Sequence, residues 1–240
     1  HFYESKMPYN LIFAATAEEE ISGKDGIYSI NDVTSRCAFA IVGEPTGLEM
    51  AIAEKGLMVL EGLVKGRSGH AAREEGINAI YLAMEDIYWF SHHNFSKVSV
   101  VLGPVKTTVT VIHAGEQHNV IPSECRYTVD VRTTPEYTNE EILGIISDNV
   151  HAEITPRSER LQPSALPEGH ILEKAANKLG IRRFGSSTLS DQALLSIPSV
   201  KIGPGLSERS HTAGEHIYLH ELEQGLDTYI ALLEEIFSLS

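Results

Sequence analysis

The sequence predicts an α/β protein, a mostly parallel sheet interrupted by an inserted α+β segment, and three observations carry that prediction. Near-continuous apolar runs at residues 10–15 and 37–42 read as parallel strands buried on both faces. Between Gly56 and about Leu161 the order becomes strand, helix, strand, strand, strand, helix, which describes a four-stranded antiparallel sheet with two helices on one face. After the polar, proline-bearing stretch 157–167 the α/β texture returns. The expected boundaries are therefore residues 1–55 and 162–240 for a discontinuous sheet domain and 56–161 for the insertion.

The first apolar run ends in Glu18, Glu19 and Glu20. Ligands of open α/β sheets bind outside the carboxyl ends of strands, and like charges crowded there call for a cation or a shared proton. Adjacent side chains near a strand end point different ways, so one glutamate could ligate a metal while its neighbour accepts a proton. The same acids read equally as an acidic first helical turn stabilised by the helix dipole. Glu44 ends the second run, and Pro45 biases it toward an extended backbone.

In the insertion, strands are expected at 57–64, 98–102, 107–114 and 125–133. Ile77, Ile80, Tyr81, Met84, Ile87 and Tyr88 recur at helical spacing, and Thr138 with Glu141 forms a capping box that opens a second helix. Beyond it, helix is expected at 168–179 with Gly180 as its stop, another is opened by Ser190 and Asp191, and a brief strand at 199–202 leads to Gly203 and Gly205. The last helix, 219–237, aligns Leu222, Leu226, Tyr229, Ile230, Leu233 and Phe237.

Composition narrows the partners. The net charge of −14 over 240 residues disfavours nucleic acid and anionic membranes and leaves a small molecule as the default ligand. No apolar run approaches the roughly 18 residues of a membrane span. Two cysteines without CxxC spacing suit a reducing cytoplasm. Glu19, Glu20 and Glu44, with His211 after a glycine-rich turn, occupy equivalent strand ends, and carboxylates with an imidazole are donors for zinc or a similar ion.

The strings Ala15-Thr16-Ala17-Glu18-Glu19-Glu20, Val42-Gly43-Glu44-Pro45-Thr46, Lys55-Gly56, Gly66-Arg67-Ser68-Gly69-His70-Ala71-Ala72, Asn119-Val120-Ile121-Pro122, Asp130-Val131-Arg132 and Ser210-His211-Thr212-Ala213-Gly214-Glu215 follow in order. Together they resemble the co-catalytic zinc deacylases and carboxypeptidases, the family of acetylornithine deacetylase, succinyl-diaminopimelate desuccinylase and aminoacylase. The resemblance implies a zinc-peptidase-like sheet domain with residues 56–161 as a lid or dimerisation domain. It implies that Glu19 is the general base, that Glu20 and His211 ligate one metal and Glu44 the other, and that His70 stabilises the oxyanion, reaching the other subunit's site. Asn119 and Arg132 would hold the substrate carboxylate, with Gly203 and Gly205 as candidate N–H donors to it. Arg132 reads equally as a structural partner of Asp130 or Glu136, and the glycines equally as a tight turn.

The implied cofactor is zinc, two ions per complete site, with cobalt or manganese as substitutes. The implied reaction is hydrolysis of an N-acyl amino acid by a cytoplasmic homodimer, with acyl-ornithine or acyl-citrulline deacylation in arginine biosynthesis preferred on the wording of Gly43-Glu44-Pro45-Thr46 and Lys55-Gly56. The alternatives are a desuccinylase or dipeptidase on the same scaffold and, from another class, a non-catalytic dimerisation or binding module. The family also draws metal ligands from a His-x-Asp element and a bridging aspartate upstream of the double glutamate, and no His-x-Asp occurs in this chain. The expectation is that an N-terminal portion precedes this sequence, and that the chain alone binds zinc weakly and turns over no substrate.

Overall fold

A computed structural model describes residues 2, 9–73 and 75–239. In chain order the strands are β1 (Ala40–Val42), β2 (Met50–Glu54), β3 (Gly56–Lys65), β4 (Gly69–His70), β5 (Lys106–Ala114), β6 (Val120–Ile121), β7 (Glu124–Thr133), β8 (Glu153–Pro156), β9 (Ser164–Ala165), β10 (Arg183–Ser186) and β11 (Ser199–Lys201). The helices are α1 (Asn31–Thr34), α2 (Ala79–His92), α3 (Asn139–Ser147), α4 (Ile171–Lys178) and α5 (Leu219–Ser238). Short 3-10 turns cover Glu19–Ile21, Ile27–Ile30, Asp191–Leu194 and Ser207–Arg209. The chain divides into two compact units, one of His1–Glu54 with Ser164–Ser240 and one of Lys55–Pro163.

In the first unit the sheet runs β1-β11-β2-β10, with β9 against β2. The β1–β11 and β2–β10 pairs are parallel, while β11 meets β2 antiparallel at Lys201 and Ala51. Met50, Val200 and Ile202 from the sheet pack against Leu172, Ala175 and Ala176 of α4 and Leu232 and Ile236 of α5. Helix α4 starts later than the sequence suggests, on His170, and is stopped at Gly180, whose φ of +68° admits the left-handed turn. The buried line of α5 is Gly225, Leu232 and Ile236, so Leu222 and Leu226, expected inside, are exposed.

The run at 10–15 is not a buried strand. Ladder bonds to a neighbour are what hold a strand, and no described strand pairs with it; Leu11 and Ile12 are exposed and Phe13 is 91% exposed. The second apolar run is a strand only over Ala40–Val42 and is half-buried.

In the second unit the four-stranded antiparallel sheet is present in the order β5-β7-β3-β8. Its composition differs from the expectation at one strand: residues 98–102 form a turn closed by Ser99 and Gly103 bonding each other's backbone, and Val100 points fully into solvent. The short β8 takes the fourth place, pairing Leu60 to Leu63 of β3 with Pro156 to Glu153. Along β3, burial alternates residue by residue, the mark of a sheet with one covered face. Met58, Leu60, Val64, Val129 and Val131 meet Ala79, Ala83 and Phe90 of α2 and Ile142 and Ile146 of α3 in one core.

Helix α2 packs through its small residues, which leaves Ile77, Tyr81, Met84 and Tyr88 as an exposed apolar stripe on the opposite side. The capping box forms as read: Glu141 N donates to Thr138 Oγ1 at 3.1 Å and Thr138 N to Glu141 Oε2 at 2.8 Å. Among the described residues, no helix is long and apolar enough to cross a membrane.

Candidate functional site

The three consecutive glutamates diverge. Glu18, at φ +59°, folds its carboxylate back to accept from Asp25 N at 3.2 Å. Glu19 is half-buried and Glu20 is exposed. The turn is closed by Ser22 N to Glu19 O and Gly23 N to Glu18 O, and Thr16 Oγ1 ties its approach to Asp191 Oδ2 at 3.4 Å.

Glu44 leaves the end of β1 in a turn shared with the 203–205 loop. Thr46 Oγ1 donates to Glu49 O at 2.6 Å and accepts from Gly203 N at 3.1 Å; Thr46 N and Leu48 N donate to Gly203 O, and Gly47 N to Gly205 O. A Cβ on residue 203 would stand 2.6 Å from Glu44 O, so only glycine lets the two backbones approach this closely. Tyr229 Oη donates to Ile202 O and pins the strand end from α5. The Gly203 N–H, expected as a donor to substrate, is thus already given to Thr46.

His211, at φ +59°, brings its Nε2 to 3.7 Å from Glu20 Oε2. The loop before it is braced by Arg209, whose fork bonds Glu221 at 2.7 and 3.0 Å. Glu20 is therefore in contact with His211, and Glu44 lies in the field of Glu19.

Burial pushes the Glu44 carboxyl up from 4.5 to about 7, with Glu19 adding to the rise, Lys201 opposing it, and Glu54 and Asp191 adding further. Glu19 is raised too, by burial first and then by Asp191, Glu20 and Glu54, again against Lys201. Burial also raises Asp191, while its bond from Thr16 acts the other way.

Asp191, Glu54 and Lys201 were not among the residues singled out from sequence. Asp191 read as a helix opener and Lys201 as an interior strand residue, and nothing local marks their convergence.

The second unit holds the other expected residues. The β4–β6 pairing sets His70 opposite Val120, and Ala71 N donates to Asn119 O at 3.0 Å, so His70 and Asn119 are neighbours on one two-stranded ribbon. His70 Nδ1 accepts from Ala72 N at 3.1 Å, which leaves Nε2 outward. Arg132 is elsewhere, in register with Leu57 and Lys106, and is bound bidentately by Asp130 at 2.9 and 3.0 Å. That pairing is the structural alternative read from the sequence.

Acidic oxygens and an imidazole suit a divalent cation, and burial first, then neighbouring acids, raises the Glu19 and Glu44 carboxyls. The donor chemistry fits a metal, although among the described residues no three His, Cys, Asp or Glu side chains close on a single point.

Residues 52–156 match the peptidase dimerisation domain. The chain is 27% identical over 240 residues to a LysW-lysine/LysW-ornithine hydrolase of Sulfurisphaera tokodaii, covering 95% of this chain and 67% of that protein. It is 28% identical over 235 residues to the acetylornithine deacetylase of Photorhabdus laumondii, covering 89% of this chain and 60% of the relative. The chain thus spans some three-fifths to two-thirds of these relatives' length. Its fold is similar to a tripeptidase from Staphylococcus aureus (TM-score 0.65, 20% identity, 93% of this chain and 62% of that one). It is also similar to a dinuclear metal binding peptidase from Bacillus subtilis (TM-score 0.60, 19% identity, 91% and 62%). In its ordered motifs, in the dimerisation-domain match over residues 52–156 and in its fold, the chain is similar to the peptidases and deacylases that these relatives represent.

Proposed function

We propose that the chain contributes the greater part of a metal-dependent amide hydrolase acting on an N-acyl amino acid, with acyl-ornithine or acyl-citrulline as the preferred substrates. The observation that carries the reading is the contact of His211 with Glu20, next to Glu19, together with the carboxyls of Glu19, raised by burial and by Asp191, and Glu44, raised by burial and by Glu19. Glu20, Glu44 and His211 would hold zinc, with cobalt or manganese as substitutes. When bound, such a metal supplies Lewis acidity that polarises the amide carbonyl and acidifies water.

Glu19, half-buried and with its carboxyl raised first by burial, takes the proton from the attacking water and returns it to the leaving amine. His70 presents an outward Nε2 suited to the negative charge that grows on the carbonyl oxygen. Asn119, beside it, and Arg132 bind the substrate carboxylate. Asp130 takes the Nε and Nη2 donors of Arg132 and leaves Nη1 for a second acid. The Gly205 N–H is retained as a proposed donor, while Gly203 acts through the placement of Glu44.

The dimerisation-domain match and the exposed α2 stripe support a homodimer formed through residues 56–161, and two free cysteines suit the cytoplasm. The second reading is a desuccinylase or dipeptidase on the same scaffold. The deciding experiment assays the full-length enzyme carrying this chain against acetyl-ornithine, acetyl-citrulline, succinyl-diaminopimelate and dipeptides, with and without a chelator. Chelator-sensitive release of ornithine or citrulline is expected. Absence of hydrolysis of every substrate in zinc-replete enzyme would leave the non-catalytic binding module standing.

A further inference from the structure

Beneath the acidic edge lies a buried ammonium group that the proposed reaction does not use. Lys201 ends β11 at 2% exposure, with its Nζ 2.9 Å from Oε2 of Glu54, which is wholly buried. The same Nζ donates to Thr188 O at 3.0 Å and to Thr188 Oγ1 at 3.2 Å. Glu54, at the end of β2, also accepts from Ser190 N at 3.0 Å and Ser190 Oγ at 2.6 Å. The pair therefore ties two strand ends to the loop that carries Asp191 onto Thr16.

A buried ion pair is a poor source of net stability, because desolvation offsets most of the attraction and an apolar pair of similar volume does as well. Position gives it a better reason. The parallel β1–β11 pairing sets Lys201 opposite Val42, two residues before Glu44, and the Ser190 that bonds Glu54 leads into Asp191, which Thr16 reaches just ahead of Glu19 and Glu20. Lys201 accordingly opposes the rise of the Glu19 and Glu44 carboxyls.

We propose that Lys201 is a positioning residue, a built-in counter-cation that holds the carboxylates together at the sheet edge before a divalent cation arrives and repels that cation once it is bound. This rests on the reading of Glu20, Glu44 and His211 as the cation-holding residues. Its signature is a pair of effects of opposite sign. Removing the lysine charge makes the metal-free chain less stable and tightens its hold on a cation. Removing the Glu54 charge leaves Lys201 unopposed and loosens that hold.

The test titrates the 240-residue chain with zinc chloride alone by calorimetry, and records melting temperature in chelator, for Lys201→Met, Glu54→Gln and Lys201→Arg. Lys201→Met is expected to melt lower in chelator yet bind zinc about fivefold more tightly, and Glu54→Gln to bind it about fivefold more weakly. Lys201→Arg, which keeps the charge, is expected to stay within about twofold of the unsubstituted chain. Should Lys201→Met fail to fold, the other two variants carry the test. Zinc affinity falling alike in Lys201→Met and Glu54→Gln, or Lys201→Arg shifting as far as Glu54→Gln, would overturn the counter-cation role and leave the metal reading intact. An unsubstituted chain that takes up no zinc at any concentration would overturn both.

Discussion

His211 Nε2 lies 3.7 Å from Glu20 Oε2, and both partners are held by left-handed backbone: His211 itself at φ +59°, and the turn of Glu20 between Glu18 at +59° and Ser22 at +47°. Non-glycine residues in this region store strain that the surroundings must sustain, and such strain gathers at functional sites. Glu20→Ala and His211→Ala in the full-length enzyme should each lose metal along with activity. Glu19→Gln should keep the metal and lower kcat by about a hundredfold or more, since it removes the base and preserves the shape. Elemental analysis beside steady-state kinetics checks both; full metal content in Glu20→Ala and His211→Ala would sink the assignment.

The Arg209–Glu221 fork predicts an acid-sensitive brace. Arg209 and the backbone N–H of Tyr218 hold the Glu221 carboxyl down from 4.5 to about 2. A depressed carboxyl contributes stability above its unfolded value that is lost as pH falls through its folded value, so the window is about pH 4.5 to 2. Arg209→Ala should melt below the parent at pH 6, and the gap should close across that window. A gap that is constant from pH 6 to pH 2 would count against the pairing.

Tyr127 anchors the second unit by donating to Asp86 Oδ2 at 2.9 Å, an acid that also accepts from His151 N and Ala152 N. Tyr127→Phe removes one bond to a buried acid and should lower unfolding free energy by about 1.5–3 kcal/mol in urea titration. Gly62→Ala should also destabilise, by about 1–3 kcal/mol, because its Cβ would fall 2.4 Å from the Tyr127 ring. An unchanged urea midpoint in either variant would contradict this packing.

The α2 stripe is the surface to break if the chain self-associates. Tyr81 and Tyr88 are 67% and 66% exposed, and contiguous apolar area of this kind marks an interaction surface. Tyr81→Glu with Tyr88→Glu should move sedimentation from dimer to monomer at micromolar concentration without shifting the far-ultraviolet dichroism. Dimer retained in the double variant would place the interface elsewhere.

The features legible in the sequence were those with local causes. The strands at 57–64, 107–114 and 125–133, the Thr138–Glu141 box and the helix at 219–237 all follow from periodicity and capping, and the structure shows each of them. Residues 98–102 misled because their β-branched composition suits a strand, while Gly103 closes them into a turn. The four residues of β8 carry too little pattern to stand out. The stripe of α2 read as a core face because periodicity reports an apolar side without saying what covers it; Ala79 and Ala83 let the helix seat on its opposite side. At the site, Glu19, Glu20, Glu44 and His211 were legible as motifs. Asp191, Glu54 and Lys201 were not, since what defines them is a meeting of distant segments.

The shared backbone of the Glu44 and Gly203 turns also bears on how this edge could be re-engineered. Thr46 and Gly203 exchange hydrogen bonds in both directions, and the space between Gly203 and Glu44 is too narrow for a methyl group. The two loops, which look like separate targets on paper, are tied into one unit by these bonds. A library randomised at position 203 would in effect sample displacements of the Glu44 backbone and, with it, of the carboxylate that the strand end presents.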